Sequence, residues 1–136
     1  MKVEDAPDVK DRIERIVNIL DMDHIRPERI VCMRSFNSTS DANARIWSLP
    51  KIWQKALDVK SHYVIEVLSE KYDDMSEDDK DRTMIHELMH IPKTFSGALV
   101  SHKARVFDGK GGHKTVRIND RTVEKIFKEY RKIVNV

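Results

Sequence analysis

The sequence predicts an α+β fold, and three observations carry that prediction. Segments of helical pattern lie near both ends, at 7–22 and 120–133. Between them run short β-branched stretches, clearest in Tyr-Val-Ile-Glu-Val-Leu from residue 63 to 68. A further helical stretch, 77–91, follows that run and carries two histidines four residues apart.

The elements follow in order. Pro7 suits a first helical turn, and Val9, Ile13, Ile16, Val17 and Leu20 recur at helical spacing, so 7–22 is expected to cover one face of a sheet. Arg29 to Met33 is the expected first strand, and the polar cluster Asn37 to Asp41 the loop after it. Pro50 divides 44–57 into a strand and then a short helix with Ile52, Trp53, Ala56 and Leu57 at helical spacing. Trp47 and Trp53 are expected in the core, where aromatic residues of such segments usually sit. Ser76 with Asp79 resembles a capping box, acidic residues crowd the next turn, and Pro92 ends the helix. Ile85, Leu88 and Met89 form its apolar stripe. The Gly109 to Gly112 stretch reads as a turn.

Composition bounds the rest. A chain of 136 residues is expected to form one domain, 1–136. With 40% hydrophobic and 35% charged residues it is neither disordered nor membrane-like, and no apolar run reaches bilayer length. The segment Met1 to Pro7 lacks an apolar export region, so a cytoplasmic location is expected. Cys32, the only cysteine, excludes an internal disulfide and a CxxC zinc ribbon and is expected in a buried strand position. Charge is uneven: residues 101–136 hold 10 basic and 4 acidic side chains, net +6. That cluster (Lys103, Arg105, Lys110, Lys114, Arg117, Arg121, Lys125, Lys128, Arg131, Lys132) is either a solvated surface or a track for nucleic acid or an acidic partner.

The chemistry concentrates at His86-Glu87-Leu88-Met89-His90. Two imidazoles one helical turn apart can reach a single zinc ion at about 2.0–2.1 Å. Glu87, beside the first ligand, is placed to act as general base on a water in the open coordination position. A third ligand is required, and three candidates remain open. His102 follows a segment short enough to fold back over the site. His113 precedes the last helix on a loop that could return to it, and Glu124 lies on that helix. An unused histidine would contact substrate or an oxyanion. The metzincin extension is absent, since Lys93 and Ser96 stand where it needs Gly and His. His24 and His62, remote from the motif, are expected to be ordinary surface or strand-end residues.

The stretch from His86 through Ile91-Pro92-Lys93-Thr94-Phe95-Ser96-Gly97 to His102 resembles a metallopeptidase family found in archaea and phages. The likeness runs from about Arg29 to the last helix and includes Ala44-Arg-Ile-Trp-Ser-Leu-Pro and Tyr63-Val-Ile-Glu-Val. That family is similar in outline to SprT-like and minimal zincin domains. The resemblance therefore implies a zincin-like fold, with a small mixed sheet packed on the motif helix and a later helix closing the site. It also implies zinc, hydrolysis of a peptide or protein substrate, His86 and His90 as ligands and Glu87 as base. The chain differs from SprT-like proteins in lacking a cysteine ribbon and in the spacing of its third histidine.

Were that fold adopted, the 63–68 strand would border the cleft and pair with extended substrate. The competing function is a non-catalytic, zinc-stabilised module that binds nucleic acid or a protein through its basic C-terminal region. A protease stimulated by DNA combines the two.

Overall fold

The β-branched runs build the sheet. The computed structural model describes residues 2–107 and 110–135. β1 (Lys2–Asp5), β2 (Ile30–Phe36), β3 (Ala44–Ser48) and β4 (Tyr63–Leu68) form one sheet in the order β1-β2-β4-β3. β2 and β4 are parallel, whereas β1 and β3 run antiparallel to their neighbours, so the sheet is mixed. The helices are α1 (Pro7–Ile19), α2 (Lys51–Leu57), α3 (Ser69–Tyr72), α4 (Glu77–Met89) and α5 (Asp120–Val134). A hairpin of β5 (Lys103–Phe107) and β6 (His113–Arg117) precedes α5.

Register decides which face is covered. Cys32 pairs with Ile65, Ile65 with Ile46, and Ile30 with Tyr63. Side chains alternate along a strand, so these residues share one face. Against it pack Val9, Ile13 and Ile16 of α1, Met84, Ile85 and Leu88 of α4, and Val123, Phe127 and Tyr130 of α5, all buried. Each large aliphatic side chain removed from water there contributes roughly 1.5–3 kcal/mol. The opposite face keeps Val31 and Trp47 in solvent and carries one buried carboxylate, Glu66. Ser35 and Arg45 donate to Glu66 at 2.6 and 2.9 Å, and the Trp47 indole at 2.9 Å. Burial raises the pKa of that carboxyl, but these donors outweigh it and hold the net value below the ordinary one.

Polar ties set the position of α4. Asp81, buried on α4, accepts from Arg12 at 2.6 Å and from Arg15 at 3.3 Å, both on α1. Arg15 also donates to the Tyr130 hydroxyl of α5 at 2.9 Å. Arg82 of α4 bonds Glu124 of α5 at 2.8 Å and lies over the Phe127 ring at 4.1 Å. The motif helix is thereby fixed to both of its helical neighbours.

Several expectations change. The first strand is Lys2–Asp5, which pairs only through its backbone and has no buried residue to mark it. The 63–68 run is a central strand, hydrogen-bonded on both sides by β2 and β3, so its edges are unavailable to substrate. The edge on the α4 side belongs to β3. Trp47 and Trp53 are 52% and 54% exposed rather than in the core, because Trp47 points to the open face and α2 buries nothing. The 7–22 helix ends at Ile19, followed by Asp21 at φ 53°. Gly109 lies outside the described residues, and so does that part of the expected turn. No helix among the described residues is long and apolar enough to cross a membrane.

Candidate metal centre

Ser76 caps α4 by accepting the Asp79 N–H at 3.1 Å, and Glu77, Asp78 and Asp79 occupy the favourable first turn. Ile85 and Leu88 are buried beneath the helix, which turns His86 and His90 to the same side with ring centroids 5.2 Å apart. His90 is the C-cap, with the helix ending one residue earlier at Met89.

After Pro92 the chain folds back. Phe95, at φ 48°, buries its ring edge-on against Tyr63 at 5.0 Å, under the Arg29 guanidinium. The Tyr63 hydroxyl accepts the Gly97 N–H at 2.9 Å and donates to the Ala98 carbonyl at 2.8 Å. Ser61 donates to the Phe95 carbonyl at 2.6 Å. Val100 then meets His90, and the His102 carbonyl accepts the Ile118 N–H at 2.8 Å. These bonds bring His102 over the motif helix, with its ring 5.2 Å from His86 and 4.7 Å from His90, centroid to centroid.

His86, His90 and His102 each offer a ring nitrogen, and these atoms lie within 4.8 Å of one another. The His86 and His102 Nε2 atoms are 3.2 Å apart. Two ligands at 2.0–2.1 Å from a tetrahedral ion would be about 3.3 Å apart, so this pair fits without rearrangement. His90 donates from Nδ1 to the Val100 carbonyl at 2.5 Å, which leaves Nε2 as its ligand atom. Burial first, and then the neighbouring rings, lower the pKa of His86. Burial likewise lowers that of His90, against the opposing Val100 bond. Neutral imidazoles are the form that binds a metal, so the donor set suits a divalent ion of borderline softness.

Glu87 is 6% exposed, and no hydrogen bond or ion pair holds its carboxylate among the described residues. Burial pushes its pKa up to about 7. It lines a cleft of about 360 Å³ together with His86, Arg82, Asp120, Glu124, Asn43 and the first residue of β3, Ala44.

The other candidate ligands stand apart from the cluster. His113 opens β6, paired with Phe107 across the hairpin, and is not among the three clustered histidines. Glu124 lines the cleft, but its carboxylate is engaged by Arg82. The supporting roles of Ser61, Tyr63 and Val100 at the returning loop are not legible in the sequence. Their roles arise from main-chain geometry of the returning loop, and only the positive-φ requirement at Gly97 left a residue-type signal.

A family model described as "Putative phage metallopeptidase" matches residues 1–131. The chain belongs to this family. The match takes in α4, the returning loop and most of α5, so all three clustered histidines lie inside it. The family's description is that of a metallopeptidase, a hydrolase class in keeping with the histidine cluster. No curated protein and no solved structure matched the chain.

Proposed function

We propose that this family member is a zinc-dependent peptidase of the zincin type, with His86, His90 and His102 as ligands and Glu87 as general base. One observation carries the reading: three imidazoles converge, and beside the first of them Glu87 lines the cleft with a carboxylate that makes no hydrogen bond or ion pair among the described residues. A purely structural site has no use for that carboxylate. When bound, zinc supplies the Lewis acidity that polarises a scissile carbonyl and eases ionisation of water. Glu87, in its carboxylate form, receives a proton on a carboxylate oxygen and returns it to the leaving amine. The edge of β3 away from β4 pairs with no other described strand, and its first residue borders the cleft. An extended peptide can add to that edge through main-chain hydrogen bonds.

The test is Glu87→Gln. It should retain about one zinc per chain and lose roughly 10²- to 10⁴-fold in cleavage of an unfolded protein. Undiminished cleavage would overturn the reading. If Glu87→Gln were silent and charge reversal at Lys125, Lys128 and Lys132 abolished nucleic-acid binding, the zinc-stabilised binding module would replace it.

A further inference from the structure

The apolar face of α2 looks away from the protein. Ile52, Trp53, Ala56 and Leu57 share one side of the helix, yet no α2 residue is buried. Ile52 is 75% exposed, Leu57 58% and Trp53 54%. Only Gln54 is half-buried, donating to the Leu49 carbonyl at 2.9 Å. At about 100° per residue, Ile52 and Ala56 stand nearly opposite Gln54. These side chains therefore add nothing to the core, and an apolar patch rimmed by polar groups marks a surface that meets another molecule. The exposed charged residues of 51–60 are mostly basic, Lys51, Lys55 and Lys60 against one acid, Asp58.

The occupant follows from position and charge. β3 leads from the cleft at Ala44 to Ser48, and α2 begins at Lys51. A polypeptide lying along the open edge of β3 reaches α2 after about five residues, or ~17 Å of extended chain. The four apolar side chains expose on the order of 400 Å², short of the ~800 Å² per partner of a stable dimer. Three of the four apolar side chains, Ile52, Ala56 and Leu57, are aliphatic and give nucleic-acid bases nothing to stack on, and Trp53 alone offers an aromatic face.

We propose that α2 is an exosite for the polypeptide substrate. It holds an apolar segment with acidic neighbours, about five residues from the scissile bond, with Ile52, Trp53 and Leu57 as anchors and the lysines as charge partners. This rests on the peptidase reading above.

Two readouts separate the inference from that reading. A cleavable sequence found by digesting an unfolded protein would be made as a short peptide and as a long one carrying a Leu-Asp-Phe-Glu flank on either side. Ile52→Ser/Trp53→Ser/Leu57→Ser should raise KM for the long peptide about tenfold, leave kcat unchanged, and leave the short peptide unaffected. Circular dichroism should show an unaltered fold, as α2 buries nothing. The fluorescein-labelled flank alone should bind wild type by anisotropy, bind the triple variant and its lysine-rich analogue at least tenfold more weakly, and need no zinc. Equal KM values for the long peptide with no flank binding would overturn the exosite while cleavage stands. Flank binding without cleavage of any peptide would overturn the peptidase reading and leave a peptide-binding surface. A wild-type dimer in sedimentation that the triple variant abolishes would overturn the exosite in favour of self-association.

Discussion

His90 and Val100 hold each other through two hydrogen bonds: the imidazole Nδ1 donates to the Val100 carbonyl at 2.5 Å, and the Val100 N–H donates to the His90 carbonyl at 2.7 Å. The residue that ends the motif helix is thus also the anchor of the loop carrying His102. The orientation of the His90 ring and the position of the loop that carries His102 are therefore tied to the same pair of bonds. His102→Ala should then lower zinc affinity at least about 100-fold in competition titrations against a chelator, since loss of a supporting group alone costs about 10- to 100-fold. His113→Ala and Glu124→Gln should leave it within about twofold. A large effect at His113 with none at His102 would refute the proposed ligand set.

Tyr63→Phe removes a hydroxyl that serves two main-chain groups of the returning loop, Gly97 N–H and Ala98 carbonyl. The ring and its contact with Phe95 remain. Leaving both groups without their partner should cost about 1–3 kcal/mol in urea unfolding. Zinc affinity should fall about tenfold, because His102 is presented less firmly. Affinity unchanged alongside lower stability would show that the loop is held without this hydroxyl.

Gly97 stands at φ 93°, where a side chain is strained, and an added Cβ would come within 2.6 Å of Gln54 Nε2. The amide is the far end of a flexible side chain and can swing aside, but it then gives up the Leu49 carbonyl. The backbone strain has no such escape. Gly97→Ala should therefore lower stability by roughly 1–2 kcal/mol in urea unfolding, and an unaltered midpoint would contradict this conformation.

What the sequence disclosed is what periodicity and side-chain chemistry encode. The α4 cap at Ser76, its buried Ile85 and Leu88, and the paired histidines could all be read from residue type and spacing. The same holds for the β4 run, although its place in the centre of the sheet depends on pairing with β2 and β3 that no local pattern specifies. Choosing among His102, His113 and Glu124 required the path of the chain after Pro92, set by long-range bonds from Tyr63 and Ser61. β5 and β6 were missed because their exposed, charged residues lack an apolar alternation. Trp53 misled for the opposite reason: helical spacing identified an apolar face correctly, but spacing does not say which way a face turns.

Acid should loosen the junction of α1, β2 and the turn after α3 through one arginine. Arg34 grips Asp8 with bonds of 3.0 and 2.7 Å and Asp73 with bonds of 3.1 and 3.0 Å. The Arg34 hydrogen bond is the main cause of the lowered Asp8 pKa, with burial opposing it. At Asp73 burial is the largest single influence and raises the pKa, but bonds from Arg34 and Ser69 outweigh it, and the net value is again lowered. A carboxyl whose folded pKa lies below its unfolded value of about 3.9 binds fewer protons when folded. Its contribution is therefore complete above that unfolded value and disappears as pH falls through the folded one. Arg34→Met should lower the urea midpoint at about pH 6, and the gap between variant and wild type should shrink toward zero as the pH falls below the unfolded value of about 3.9 and through the lowered folded ones. Because Asp8 and Asp73 are 60% and 37% exposed at the side chain, about 1 M salt should narrow the gap at pH 6 as well. A gap that stays constant from about pH 6 to pH 2 would mean that Arg34 acts through packing of its stem rather than through these two carboxylates.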